Sequence, residues 1–182
     1  MRLALCLAVA LGVGVSLGRA EVWDLTKAEK ALVPSQGKGC PSASCETAKA
    51  PGTNKDALHW RVANGPATDF DYARLTLKLP PGTKAAKDQV FQIKGSLDLG
   101  EESYFGIRLV TSDERILSYD FTASPAPPIE VPLSKFVGWE AAGPGGTAST
   151  TAEIVRVELT INGDKSTKGT RSEAWIESIE IR

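Results

Sequence analysis

The sequence predicts an all-β protein: an antiparallel two-sheet β-sandwich of about nine strands with one short N-terminal helix. Two observations carry that reading. Apolar and polar residues alternate with period two in short runs set apart by Gly, Pro, Asn and Asp, the mark of half-buried strands. One of those stretches, Tyr104 to Phe121, reads as a complete hairpin. Phe105, Ile107 and Leu109 lie on one side of its first strand, and Leu117, Tyr119 and Phe121 on one side of its second. A connector centred on Asp113 pairs Phe105 with Phe121, Ile107 with Tyr119 and Leu109 with Leu117. A one-residue slip would set every apolar side chain opposite a polar one, so the register is strongly specified.

The other elements follow in order. Glu21 to Leu25 reads as a first strand, after which Thr26 is placed to cap a short helix from Lys27 to Leu32, ended by Pro34. Ser35 to Asn54, rich in Gly, Pro, Ser and Thr, reads as a loop. Leu58, Trp60 and Val62 then alternate with His59 and Arg61, and a turn at Asn64 to Pro66 follows. Ala73, Leu75, Leu77 and Leu79 alternate with Arg74, Thr76 and Lys78 until Pro80 and Pro81 stop the strand. Phe91 and Ile93 face inward beside Gln92 and Lys94. Beyond the hairpin, Ile129 to Leu133 is punctuated by prolines and reads as an edge strand. Phe136 to Thr151 reads as a surface loop carrying Trp139. Val155, Val157, Leu159 and Ile161 alternate against Arg156, Glu158 and Thr160. In the last strand, AWIESIEIR, the phase changes between Ile176 and Ile179, which a bulge near Glu177 explains.

The chain has 182 residues, enough for one domain to bury a core. Hydrophobic residues make up 42% and charged residues 24%, and the net charge is −1, which excludes binding to a polyanion by bulk charge. Residues 1–20 combine Arg2, an apolar run from Leu3 to about Leu17, and small residues around Arg19, the pattern of a secretory signal cleaved after Ala20. A membrane span is the alternative, but the run is diluted by Gly12, Gly14 and Ser16 and falls short of the roughly 20 residues a span requires. The mature chain, residues 21–182, is expected as a single β-sandwich domain, secreted to an extracellular or periplasmic location and carrying no span. Cys40 and Cys45 are then the only thiols left in an oxidising compartment, which favours a disulfide between them. Zinc competes with that reading, but a four-ligand site needs more than two cysteines and the single His59. So short a closed loop would contribute roughly 2 kcal/mol and pin a local segment only.

The open faces of the central strands supply the candidate ligand contacts: Gln92, Tyr104, Arg108, Ser118 and Asp120, with Lys94 beside them and Trp139 on a loop. Gly106 removes a side chain from their midst, which leaves room for a ligand. The competing reading is a wet sheet surface on which Arg108 pairs with Asp120. Trp23 and Trp60 read as core, and His59, on the opposite parity, as a surface residue. No nucleophile elbow, phosphate loop or metalloprotease helix is present.

FQIKG, YFGIRLVTSDERILSYDF, IEVPLSKF, IVRVELTI and AWIESIEIR together resemble the galactose-binding-like jelly rolls, notably non-catalytic carbohydrate-binding modules and domains of the complex I intermediate-associated type. The resemblance spans roughly Trp23 to Ile181. It implies a jelly-roll sandwich with a face that holds sugars, and often a structural calcium between first and last strands. Glu177, after Trp175, takes the place of the usual acidic residue there, and Glu21 and Asp24 could join it, since calcium needs several oxygen ligands at once.

The expectation is therefore a secreted, non-catalytic glycan-binding module. A structural or interaction module that meets a cell-envelope protein is the alternative. A glycoside hydrolase would need two carboxylates across the sugar. A polysaccharide lyase would need Tyr104, Arg108, Gln92 and His59 together.

Overall fold

In a computed structural model, the described residues are 21–27, 32–36, 42–63, 72–100, 103–121, 123–139, 150–162 and 171–182. They form twelve strands: β1 (Glu21–Asp24), β2 (Leu32–Gln36), β3 (Ser42–Lys49), β4 (Asp56–Ala63), β5 (Tyr72–Lys78), β6 (Lys84–Ala86), β7 (Val90–Asp98), β8 (Tyr104–Thr111), β9 (Ile116–Phe121), β10 (Ile129–Pro132), β11 (Thr151–Asn162) and β12 (Arg171–Ile181). All their pairings are antiparallel. One sheet runs β10-β7-β12-β4-β3, with β1 continuing the β4 side of β12; we call it sheet A. The other, sheet B, runs β2-β5-β11-β8-β9, with β6 continuing the β5 side of β11.

Period-two alternation turns one face of each sheet inward. Trp60, Phe91, Ile176 and Ile179 from sheet A meet Leu75, Ile107, Leu109 and Leu159 from sheet B in one buried cluster. Burying side chains of this size contributes about 1.5–3 kcal/mol each, so the two inner faces supply the main drive for folding. The hairpin has the expected register, Phe105 opposite Phe121, Ile107 opposite Tyr119 and Leu109 opposite Leu117. Its connector is closed by Thr111 N–H donating to the Arg115 carbonyl at 2.9 Å. Thr111 Oγ1 and Arg115 Nε both donate to the Asp113 carboxylate, and these bonds hold its carboxyl below the usual aspartate range. The proline-punctuated β10 is an edge strand, as expected.

Three strands were not anticipated. β2 and β3 occupy part of the expected loop from Ser35 to Asn54 and bring Leu32 into the sheet. β2 lies at the edge of sheet B, where Pro34, which has no N–H to offer, is tolerated. β3, SASCETAK, is polar and poor in β-branched residues; it is a strand because the edge of β4 needs a partner, a tertiary requirement that overrides propensity. β6 is only three residues long. The expected N-terminal helix is absent among the described residues: Thr26 and Lys27 lie in a turn and Leu32 is already strand. Thr26 does not act as the cap. Its N–H and hydroxyl donate to Asp24 Oδ1 at 3.1 and 2.6 Å, and Lys27 Nζ lies 2.9 Å from Asp24 Oδ2, so Asp24 closes a turn instead. Those bonds keep the Asp24 carboxyl below its ordinary range. Residues 1–20 and Cys40 lie outside the described residues, so the signal and the Cys40–Cys45 pairing do too. Cys45 stands half-buried on β3 opposite Trp60. No described helix is long and apolar enough to cross a membrane.

Bulges set the phase of both long strands. On β12 the register with β7 shifts between Ile176 and Ser178, as expected near Glu177. On β11 it shifts between Ile154 and Arg156, so Ile154 rather than Val155 is fully buried, which the clean alternation expected from Val155 onward did not include. The β12 bulge faces Gly95 on β7, whose φ is +147°. A Cβ there would lie 1.8 Å from the Trp175 carbonyl oxygen and 2.9 Å from its carbon, both backbone atoms that cannot swing aside.

Trp139, expected on a surface loop, is instead a core residue, 2% exposed. It follows a 3-10 turn, Leu133–Lys135, and its indole N–H donates to the Leu133 carbonyl at 2.6 Å. A large ring with one polar atom is buried when that atom finds a partner, and here the partner is the carbonyl of the turn.

Two stability outcomes follow. Gly95→Ala should lower unfolding free energy by about 2–4 kcal/mol, whereas Gly82→Ala, at φ +81° with open space around it, should cost only about 1–2 kcal/mol. Trp139→Ala should cost about 3–5 kcal/mol through the cavity it leaves. Urea unfolding of the three variants checks both, and equal losses at Gly95 and Gly82 would refute the role given to the bulge.

Candidate ligand-binding face

The outward residues of sheet B form rows that the register lays out across strands. At one end Tyr72 on β5 and Tyr104 on β8 flank Asn162 of β11. The next row is Arg74, Thr160, Gly106 and Asp120, and the one after it Thr76, Glu158, Arg108 and Ser118. With β11 between them, the tyrosines stand two strand spacings apart, roughly 9–10 Å. Both are half-buried.

The polar groups of the adjoining rows are organised by ion pairs. Arg108 Nη1 lies 2.7 Å from Asp120 Oδ1 and donates to the Ile107 and Tyr119 carbonyls at 3.1 and 3.3 Å. Glu158, 8% exposed, receives Arg156 Nε at 2.8 Å and has Arg74 Nη1 at 3.6 Å. The Arg74 guanidinium sits 5.1 Å from the Tyr72 ring centroid, within cation–π range, and its Nε is buried with no hydrogen-bond partner. A buried donor without a partner is unusual in a native fold.

Gly106 does not leave an open hole. A Cβ there would meet Thr160 Oγ1 at 2.5 Å, Asp120 Oδ1 at 2.7 Å and Arg108 Nη1 at 3.0 Å, so the missing side chain is what lets three polar groups converge. Thr160 Oγ1 also donates to the Gly106 carbonyl at 3.4 Å. The face is thus a fixed array of guanidinium, carboxylate and hydroxyl groups with aromatic rings at one end, suited to fork-like hydrogen bonding of vicinal hydroxyls or of a carboxylate.

Of the candidates read from sequence, Tyr104, Arg108, Ser118 and Asp120 share this face. Gln92 and Lys94 do not. They lie on the outer face of sheet A, where Gln92 donates to Glu130 and Lys94 to Glu180. Trp139 is in the core. His59 is also on sheet A, and it is not a surface residue: it is 8% exposed beneath Trp175. With the core between Gln92 and His59 on one side and Tyr104 and Arg108 on the other, the four-residue lyase arrangement does not assemble. Sequence reasoning missed Tyr72, Arg74, Glu158 and Thr160 as partners of this face. Their parity was legible, but not that β11 sits between β5 and β8.

The calcium expected from the fold family does not suit the residues present. Asp24 stands opposite Ser178, beside Glu177, but Glu21 lies three residues further along an extended strand, about 10 Å away. Asp24 is engaged by Thr26 and Lys27, and Glu177 lies 3.3 Å from Lys55 Nζ. No group of three His, Cys, Asp or Glu able to hold a metal occurs among the described residues.

No family model and no curated protein matches this chain. Solved structures do. A family 11 carbohydrate-binding module from Clostridium thermocellum, in complex with a β-1,3-1,4-mixed-linked tetrasaccharide, superposes with a TM-score of 0.54 at 18% identity, over 89% of this chain and 94% of that one. The module CBM27-1 of Caldicellulosiruptor saccharolyticus, in complex with mannohexaose, matches with a TM-score of 0.49 at 12% identity, over 90% of this chain and 97% of that one. An α-L-arabinofuranosidase with bound arabinose matches over 86% of this chain but 24% of its own, with a TM-score of 0.46 at 15% identity. The chain has the jelly-roll β-sandwich fold of carbohydrate-binding modules.

Proposed function

We propose that the protein is a secreted, non-catalytic module that binds glycan across the outer face of sheet B, with Tyr72 and Tyr104 packing on sugar rings and Arg74, Arg108, Ser118 and Asp120 meeting hydroxyls. The observation that carries the reading is the array on that face: two half-buried tyrosines at one end of a sheet whose charged groups are already held in place. The shared fold of a module solved with a bound tetrasaccharide supports it. Among the described residues, Asp120 and Glu158 are each engaged by arginine, and Asp113 and Glu114 sit in an exposed turn. The secretory signal over residues 1–20 and a Cys40–Cys45 disulfide belong to the same proposal, since both rest on an extracellular or periplasmic address.

Arg108 separates binding from stability. It is partly exposed and its pair with Asp120 contributes about 1 kcal/mol at most. Arg108→Ala should therefore leave the unfolding midpoint within a few degrees of wild type, while Arg108→Ala and Tyr104→Ala each weaken glycan binding about tenfold or more. The panel should include mixed-linked glucan, mannan, galactan and a uronate polymer, read by thermal shift and calorimetry, because ligand bound to the folded state raises its midpoint. No shift with any polymer, or full affinity in Arg108→Ala, would overturn the reading. The address has its own check. The mass of the exported protein should begin at Glu21, and both thiols should resist alkylation until reduced.

A further inference from the structure

On the outer face of sheet A almost every charge has an opposite partner. Lys94 pairs with Glu180, Lys55 with Glu177, Arg61 with Glu46, and Arg182 with Glu130. Two acids are left. Glu173 on β12 and Asp98 on β7 stand directly opposite each other in register, an arrangement of like charges that destabilises a sheet. Asp98 is exposed and has no cation within ion-pair distance among the described residues. Glu173 has His59 Nε2 3.6 Å from its Oε2, and Arg61, which stands opposite it on β4, is held 2.7 Å from Glu46 instead.

Beside that pair stands Trp175, half-buried. One face of its indole is covered by the His59 ring, with centroids 3.6 Å apart and planes 11° from parallel. On the far side the register places Ser96, short and exposed. β10 pairs only with Val90 to Ile93, so Ser96 and Asp98 lie beyond its reach. His59 adds an independent sign of an incomplete site. Its side chain is 10% exposed, Nδ1 is 3.9 Å from Glu46, and Nε2 is buried, points toward Glu173 and makes no hydrogen bond. A half-buried indole flanked by the short, exposed Ser96, two facing carboxylates and an orphaned imidazole nitrogen come together at one place.

We propose that Trp175, Glu173 and Asp98 form a second saccharide subsite, on the sheet opposite the first, selective for a sugar that carries a free amino group. The inference rests on reading the protein as a glycan binder. The C–H face of the pyranose packs on the side of the indole away from His59, and the ammonium lies between the two carboxylates, removing their repulsion and gaining cation–π attraction from the ring. A hydroxyl or an acetamide in the same position carries no charge to offset that repulsion, so selectivity arises from the acids themselves. The Trp175–His59 stack fixes the indole before any ligand arrives.

The test uses β-1,4-linked glucosamine tetramer and its fully N-acetylated counterpart, titrated into the purified protein by calorimetry and tryptophan emission. Trp60 and Trp139 are buried, which leaves Trp175 and the half-buried Trp23 as reporters. The expected result is an affinity for the amine tetramer at least about tenfold above that for the acetylated one, falling about tenfold in Asp98→Asn and in Glu173→Gln and weakening with salt. Asp98 is exposed, so Asp98→Asn should fold normally. Equal affinity for the two tetramers, or full affinity in Asp98→Asn, would overturn the proposal. So would a lysine tetrapeptide that binds as tightly, which would assign the surface to a protein partner. Loss of amine binding in Arg108→Ala with Asp98→Asn unaffected would place the ligand on sheet B, refuting the second subsite and leaving the first reading intact. Silence of Arg108→Ala toward neutral glycans, with amine binding kept, would do the reverse.

Discussion

The close approach of Gly95 to the Trp175 carbonyl is the constraint on which sheet A depends. β12 is the central strand of that sheet, and its bulge at Glu177 moves the inward set from Ala174 and Ile176 to Ile179 and Ile181. Without the bulge, a strand of this length would carry half of its apolar residues outward. The extra residue needs space on the neighbouring strand, and only a glycine at positive φ provides it. The same geometry decides the outer face: Trp175 points away from the core because Ile176 points into it. A core requirement thus places an aromatic ring on an otherwise polar surface.

Sheet B solves a related problem with charge. Its outer face carries Arg74, Arg108, Arg156, Glu158 and Asp120 within four neighbouring strands. Exposed pairs contribute little to stability, so their arrangement is not accounted for by folding energy. Glu158 is more deeply set, and burying a carboxylate is tolerated only where cations and donors surround it. Gly106 belongs to this design, since any side chain there would displace Thr160, Asp120 or Arg108.

Much of the fold was legible in the sequence because it follows from period-two patterning. The hairpin register and the bulge at Glu177 came from asking which side chains must face inward, and the edge position of β10 from its prolines, which cannot donate to a ladder. What stayed hidden has a common physical origin. β3 has almost no apolar signal, and it is a strand because β4 offers unpaired backbone groups beside it. Trp139 looked exposed because glycines and Pro144 follow it, yet a ring that large, with the Leu133 carbonyl in reach, is more stable in the core. The candidate face was half legible. Arg108, Tyr104, Ser118 and Asp120 come from one hairpin and could be grouped locally, whereas Arg74 and Glu158 join them through long-range strand order. Gln92 had the right parity and the wrong sheet, a distinction that alternation cannot make.

The positions of these groups bear on how such a surface works. Arg108 is anchored by two backbone carbonyls and Asp120, and Trp175 is held by His59, so the rotamer entropy of each is lost when the chain folds and not when a ligand arrives. Recognition on strands gives up the adaptability of loops in exchange for that preorganisation. It also fixes the relation between the two faces. They lie on opposite sides of a core, so on the proposed reading one short saccharide segment cannot contact both at once. Ligand occupying both faces must come from two chains or from one chain that wraps around the sandwich, and simultaneous engagement would then raise apparent affinity through effective concentration, with no contact added at either site.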